Sequence, residues 1–206
     1  METNYYEAYN RDNVHLVDIN DTPIVRITPD GVETSDGERE FDLIVYATGF
    51  DAITGSFDRI DFIGADGQKL RDKWADGPIT YLGIGVNGFP NLLTLAGPTA
   101  GSVSSNFPRG IESGVDWATA LVTYMHAHDL SSVEPTVEAE EEWTAHVRDL
   151  YDFLLLGKAQ SWFTGYNSNV DGHDKTRYLI YNGGAPRYRQ RLEEVAANDY
   201  EGFVLR

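Results

Sequence analysis

The sequence predicts an α/β fold, and three observations carry that prediction. Short β-rich runs broken by Gly, Pro and Asp fill the first half. Apolar residues recur at helical spacing in the second half. Two nearly continuous apolar runs, at 42–47 and 92–96, end in small residues, the pattern of strands buried on both faces.

In chain order, residues 14–17 and 24–27 read as short strands, separated by Asp21, Thr22 and Pro23. Pro29-Asp30-Gly31 turns the chain into a strand at 32–34, and Ser35-Asp36-Gly37 turns it again. Asp42-Leu43-Ile44-Val45-Tyr46-Ala47 predicts a strand that stops at Thr48-Gly49. Residues 60–64 alternate like a half-exposed strand, and Asp66-Gly67 reverses them. Leu92-Leu93-Thr94-Leu95-Ala96 predicts another buried strand, ending at Gly97-Pro98 and followed by a flexible loop. Ile111, Val115, Ala118, Val122 and Met125 predict one buried helix face, with Pro108 in the first turn. A second helix starts near Glu134-Pro135 and runs through Trp143, Val147, Leu150 and Leu154. Its acidic run, Glu138 with Glu140 to Glu142, reads as a solvated face near the positive helix end. Residues 161–184 form a Gly- and Asn-rich loop around a short strand at 178–181, and 187–197 a last helix.

Composition removes several function classes. The chain has 206 residues, is 41% hydrophobic and has no Cys, so disulfides, thiolate metal sites and Cys nucleophiles are excluded. Net charge is −17, from 33 acidic and 16 basic residues, and such a surface repels phosphate backbones. Nucleic acid is therefore not an expected partner. Many carboxylates with only 4 Lys suit a protein kept soluble in high salt. No apolar run reaches the roughly 18 residues of a membrane helix, and the first residues lack a signal-peptide pattern. No membrane partner and a cytoplasmic location are the expectations.

The candidate motifs differ in weight. Gly83-Ile84-Gly85-Val86-Asn87-Gly88 matches the G-x-G-x-x-G pattern of dinucleotide-binding loops. Phe89-Pro90-Asn91 and another β-rich run follow it, where a helix must begin to face a pyrophosphate. It is therefore read as a decoy. Thr48-Gly49 is more informative, because small residues at a strand's carboxyl end let a ligand approach the backbone. Gly97-Pro98 through Asn106-Phe107-Pro108 repeats the theme, and the helix start there offers N–H donors to an anionic or carbonyl ligand. Trp162 stands in a polar, Gly-containing loop, where it either anchors packing or covers a planar ligand. His126-x-His128 places two imidazoles on different helix faces, so no metal is expected. No G-x-S-x-G elbow supports a hydrolase.

Several stretches together resemble the C-terminal part of Baeyer–Villiger monooxygenases, class B flavoproteins similar to cyclohexanone and phenylacetone monooxygenases. They are Tyr5-Tyr6-Glu7-Ala8-Tyr9-Asn10-Arg11-Asp12-Asn13-Val14, Tyr46-Ala47-Thr48-Gly49-Phe50-Asp51 and Leu70-Arg71-Asp72-Lys73-Trp74. Tyr81-Leu82-Gly83, Phe89-Pro90-Asn91, Ala96-Gly97-Pro98 with Ile111-Glu112, and Ser161-Trp162-Phe163 complete the series. Their order and spacing span almost the whole chain.

The resemblance implies the C-terminal portion of a two-dinucleotide-binding flavoprotein fold whose N-terminal Rossmann units are missing. Residues 1–46 would be closing strands of an NADP-binding domain. Residues 47–206 would be the C-terminal part of an FAD-binding domain, with helices and an NADP-contacting loop. Thr48 and Gly49 would touch both cofactors, and Gly97, Pro98, Asn106 and Phe107 would form the wall that meets the flavin. Trp162 matches a family tryptophan that contacts NADP, while Val103 and Ser104 fall where the family lines its substrate pocket. In that family NADPH reduces FAD, and an oxygen atom from O₂ is inserted beside a ketone carbonyl to give an ester or lactone. The family's catalytic Arg would fall just before Met1, so no catalytic residue is expected within the chain. After Trp162 the family's Gly-Ala-Asn-x-Pro-Gly-Lys becomes 165–172 without Pro, which leaves Lys175 without a motif position. The chain alone is expected to hold FAD weakly and to lack activity. A related N- or S-oxygenating flavin monooxygenase, or a non-catalytic module assembling with a separately encoded N-terminal half, are the alternatives.

Overall fold

The computed structural model describes residues 3–49, 51–101, 106–167 and 170–206. The chain divides into two compact units, Met1–Gly49 and Phe50–Arg206.

The first unit holds α1 (Tyr5–Ala8) and a three-stranded antiparallel sheet, β1 (Ile24–Ile27), β2 (Gly31–Thr34) and β3 (Gly37–Glu40), in sequential order. Val32 faces Ile27 on one side and Arg39 on the other. Gly31 is required by close approach, since a Cβ there would fall on the Arg39 carbonyl oxygen. β1 and β2 are the strands expected at 24–27 and 32–34, β3 is additional to them, and the 14–17 run forms no strand. The 42–47 run also departs from expectation: it forms no strand, and Leu43, Val45 and Tyr46 are exposed. A strand exists only through neighbours that accept and donate its ladder bonds. The described residues of its own unit supply none to this run.

The second unit contains α2 (Gly55–Asp58), α3 (Leu70–Lys73), α4 (Phe107–Ala127), β4 (Val133–Pro135), α5 (Val137–Asp152), α6 (Ala185–Ala197) and β5 (Phe203–Leu205). Two single 3₁₀ turns, Leu155–Lys158 and Trp162–Thr164, follow α5. The expected reversal at Asp66-Gly67 is present, where Gly67 N donates to the Gly64 carbonyl, but the 60–64 run before it forms no strand and pairs only through the single bridge from Ile63 to Lys69. β4 pairs antiparallel with β5, so Val133–Pro135 is sheet rather than helix start. Helix α5 begins three residues later, at a Thr136 cap whose side chain accepts from Ala139 N.

Helix α4 buries Gly114, Trp117, Leu121 and Met125. Of the stripe expected from spacing only Met125 is buried, and Val115 and Val122 are exposed. The difference is one of rotation: the helix carries two apolar faces, and Trp117 decides which is inside. Its indole N–H donates to the Leu192 carbonyl of α6, and its ring meets Tyr200 and Phe203. The main core joins Leu82, Ile84, Trp117, Leu121, Trp143, Val147, Tyr151, Leu179, Tyr188 and Val195. A smaller cluster joins Leu70, Trp74, Val86 and Phe89. The 92–96 run forms no strand, and Leu95 is exposed. The run expected as a strand at 178–181 forms none; Leu179, Ile180 and Tyr181 are buried, with Thr99 N donating to the Leu179 carbonyl. Among the described residues no helix is long and apolar enough to cross a membrane.

Candidate functional site

The G-x-G-x-x-G hexapeptide shows why a motif needs its context. Tyr81 N donates to the Gly85 carbonyl, so residues 81–85 close a tight turn through Leu82 and Gly83, both left-handed with φ of 59° and 68°. No helix opens after it. A Cβ on Gly83 would overlap the backbone of Ala100, and one on Gly85 would press on Phe203 and Pro135. These glycines serve close packing. The amides a phosphate would use are already taken: Asn87 N donates to Glu140 Oε1 (2.8 Å) and Gly88 N to Glu134 Oε1 (2.7 Å).

Glu140 was expected on a solvated face with its acidic neighbours, and it is instead 3% exposed. Its Oε2 lies 2.8 Å from Lys73 Nζ, which also donates to the Asn87 carbonyl. Burial raises its pKa above the ordinary carboxylate value, and the bonds from Lys73 and Asn87 oppose that rise. The side chain ties α5, α3 and the 85–88 turn together.

The residues expected to meet cofactors fall into three settings. Thr48 and Gly49 are exposed in the first unit, and Gly49 has φ of 81° with nothing within 4 Å of a Cβ position. Gly97 and Pro98 are buried in the second unit. Gly97 lies against its own chain, since a Cβ would strike Thr94 Oγ1 and the Gly83 carbonyl. The segment after it was expected to be flexible, yet Thr99 and Ala100 are buried. Thr99 Oγ1 bonds Thr80 Oγ1 (2.6 Å) and accepts from the Trp143 indole (3.1 Å). A buried hydroxyl must find such partners, which holds Thr99 in place. Val103 and Ser104 lie outside the described residues.

Asn106 and Phe107 begin α4. The Asn106 side chain accepts from Arg109 N (3.2 Å), its carbonyl accepts from Gly110 N, and Pro108 has no N–H. Much of the donor capacity expected there is therefore used within the helix start, while the positive end of the dipole remains. Phe107 is exposed.

Trp162 sits in the 3₁₀ turn, which a reciprocal Ser161–Thr164 capping box holds. One face of its ring stacks on Phe163 at 3.8 Å, and the residue is 45% exposed. A small hollow beside it is lined by Asp51, Ala52, Gly165, Tyr166 and Asn167.

Two groupings escaped the sequence. Asp51, Asp58 and His173 come together, with His173 Nδ1 3.3 Å from Asp51 and Nε2 3.8 Å from Asp58. No local spacing could reveal a trio separated by more than a hundred residues. Arg177 Nη2 lies 2.9 Å from His173 Nδ1, so a positive charge already occupies the position beside that nitrogen. A cation would be repelled there, and the trio is read as part of an ion-pair cluster. The second grouping is a cleft of about 690 Å³ between α5 and α6, lined by Trp143, His146, Tyr181, Arg187 and Arg191 among others. None of the expected cofactor residues borders it. His128, the other candidate imidazole, stacks on Tyr124 at 4.1 Å.

No protein-family model matches the chain. Curated relatives do, over its whole length. It is 47% identical to 2-oxo-Δ3-4,5,5-trimethylcyclopentenylacetyl-CoA monooxygenase of Pseudomonas putida, matching 100% of this chain and 38% of that protein. It is 43% identical to phenazine N-monooxygenase PhzNO1 of Lysobacter antibioticus, over 98% of this chain and 36% of that one. A Baeyer–Villiger monooxygenase of Pseudooceanicola batsensis is 38% identical over the same shares. Among solved structures, OTEMO in complex with FAD and NADP superimposes with a TM-score of 0.85 at 46% identity, covering 100% of this chain and 37% of that one. The chain thus spans little more than a third of the length of the relatives it matches.

Proposed function

Because the chain matches from end to end the C-terminal part of Baeyer–Villiger monooxygenases, we propose that it is the corresponding part of an FAD- and NADPH-dependent enzyme that converts ketones to esters or lactones with O₂. The observation that carries this reading is the full-length match, at 46% identity, to a structure holding both FAD and NADP. When bound, the two cofactors would supply the reducing electrons and the activation of O₂.

The chain's own residues would bind and orient. Gly49, with open space where a side chain would stand, permits a cofactor to approach the backbone beside Thr48. Asn106 and Phe107 would present the positive end of α4 and an exposed aromatic ring to the flavin side. Trp162, supported on one face by Phe163, would lay its other face on NADP. Gly97 and Pro98 would shape that wall from within, since Gly97 packs on Thr94 and Gly83. Val103 and Ser104 are kept as substrate-lining residues on family spacing. Residues 1–46 would complete the NADP-binding domain and 47–206 the FAD-binding domain.

One observation favours a second reading. The phenazine N-monooxygenase is almost as similar to this chain as the first relative, so oxygenation of a ring nitrogen is the alternative. Both readings are tested by one assay. The 206-residue chain is purified alone and with a co-expressed N-terminal portion of a Baeyer–Villiger monooxygenase, then given NADPH with cyclohexanone or with a phenazine. Alone, it should be colourless and inactive; with its complement it should be yellow and form lactone. N-oxide without lactone selects the second reading. A flavin-loaded, active chain alone overturns the dependence on a complement, and no rescue favours a non-catalytic module.

A further inference from the structure

We propose that His173 and Arg177 are positioning residues for the Trp162 turn, which they tie to the Asp51 and Asp58 carboxylates of the 51–58 segment. The role assigned to Trp162 rests on the cofactor reading above; the positioning itself does not.

The connection runs through named bonds. Arg177 N donates to the Thr164 carbonyl (2.6 Å) and Arg177 Nη2 to the Gly165 carbonyl (3.2 Å). Gly165 in turn caps the Trp162 turn, its N–H donating to the Trp162 carbonyl, with φ of 70°. A side chain at Gly165 would run into Arg177 Nε, so turn and guanidinium are fitted closely. His173 meets Arg177 at Nδ1 and sits against Asp51 and Asp58. The histidine is 7% and the arginine 5% exposed.

The charged groups facing His173 are Asp51 and Asp58 from the 51–58 segment and Arg177 from its own. Nδ1 cannot accept from Arg177 and donate to Asp51 at once, so the 2.9 Å contact with Arg177 sets the imidazole from one side while Nε2 faces Asp58. Arg177 Nε is buried without a hydrogen-bond partner, so the guanidinium is held through Nη2, between the Gly165 carbonyl and the imidazole. The Trp162 turn is thereby joined through Arg177 and His173 to the two carboxylates.

The test follows Trp162 emission in the purified chain, taken as the difference between each protein and its W162F counterpart. H173Q should shift this emission relative to wild type, and unchanged emission overturns the positioning role. Should H173Q not fold by circular dichroism, D58N replaces it, with a smaller shift expected; no shift overturns the proposal. Stoichiometric Zn²⁺ binding that D51N abolishes would also overturn it, in favour of a metal centre. In the complemented, flavin-loaded enzyme, H173Q should raise the KM for NADPH by about fivefold with kcat little changed. If the emission shifts as expected and this KM does not move, the positioning stands and the cofactor role of Trp162 fails.

Discussion

Leu43, Val45 and Tyr46 in the first unit are as apolar as Leu121, Val147 and Tyr151 in the second. The first three are 68–78% exposed, and the last three at most 2%. In the second unit the buried apolar faces meet one another: α4 meets α6 through Trp117 and Leu192, and α5 meets the 178–181 segment through Trp143 and Tyr181, whose rings stack at 5.2 Å. In the first unit, three short strands pair with each other, and the apolar run that follows them meets no strand among the described residues. Hydropathy states what a segment needs, and only neighbouring chain supplies it.

The contrast can be broken most severely in the second unit. Trp143→Ala would remove a buried ring and leave Thr99 Oγ1 without its indole donor. Urea unfolding should show a loss of about 3–5 kcal/mol, whereas Leu43→Ala should stay within about 0.5 kcal/mol. Equal losses would mean that the exposed run is packed in solution.

The next effect concerns Glu140. Glu140→Ala strands Lys73 and the Asn87 amide and should cost about 3 kcal/mol; Glu140→Gln keeps an acceptor and should cost less. The pH dependence has a definite sign. A carboxyl whose folded pKa is raised binds its proton sooner when folded, so its ionised form weighs against the folded state at neutral pH. Wild type should therefore gain stability relative to Glu140→Gln as pH falls from 7 toward the ordinary glutamate value of 4.5. A constant difference between the two would show that the burial penalty is fully offset by Lys73.

The smallest effect sharpens the comparison at a single bond. Tyr188, buried against Gly101, donates to the Leu82 carbonyl at 2.6 Å, and burial holds its hydroxyl well above the usual tyrosine range. Tyr188→Phe should cost about 1 kcal/mol in the same unfolding assay. No detectable change would mean that water replaces the phenol as a partner for Leu82.

The legible parts of the molecule were the local ones. The strands at 24–27 and 32–34, the reversal at Asp66-Gly67, and the helices beginning near Pro108 and running through Trp143 follow from turn residues and periodicity. The false phosphate loop was readable because its sequence offers no helix start. Which carboxylates fill its amides was not readable, because Glu134 and Glu140 lie about fifty residues away. The rotation of α4 is hidden from the sequence for a similar reason. Val115 and Val122 fit an apolar stripe as well as Trp117 and Leu121 do, and only α6 selects between them.

The sequence by itself determined the class of fold and, through motif order, the family likeness, because turn chemistry, side-chain period and motif spacing act along the chain. Tertiary structure alone decided that Glu140 is buried, that Thr99 is anchored by Trp143, and that His173 meets Asp51, Asp58 and Arg177. Those outcomes depend on charges and hydrogen-bonding groups that become neighbours only after the chain has folded. Their energies come from desolvation and pairing at distances no linear spacing encodes.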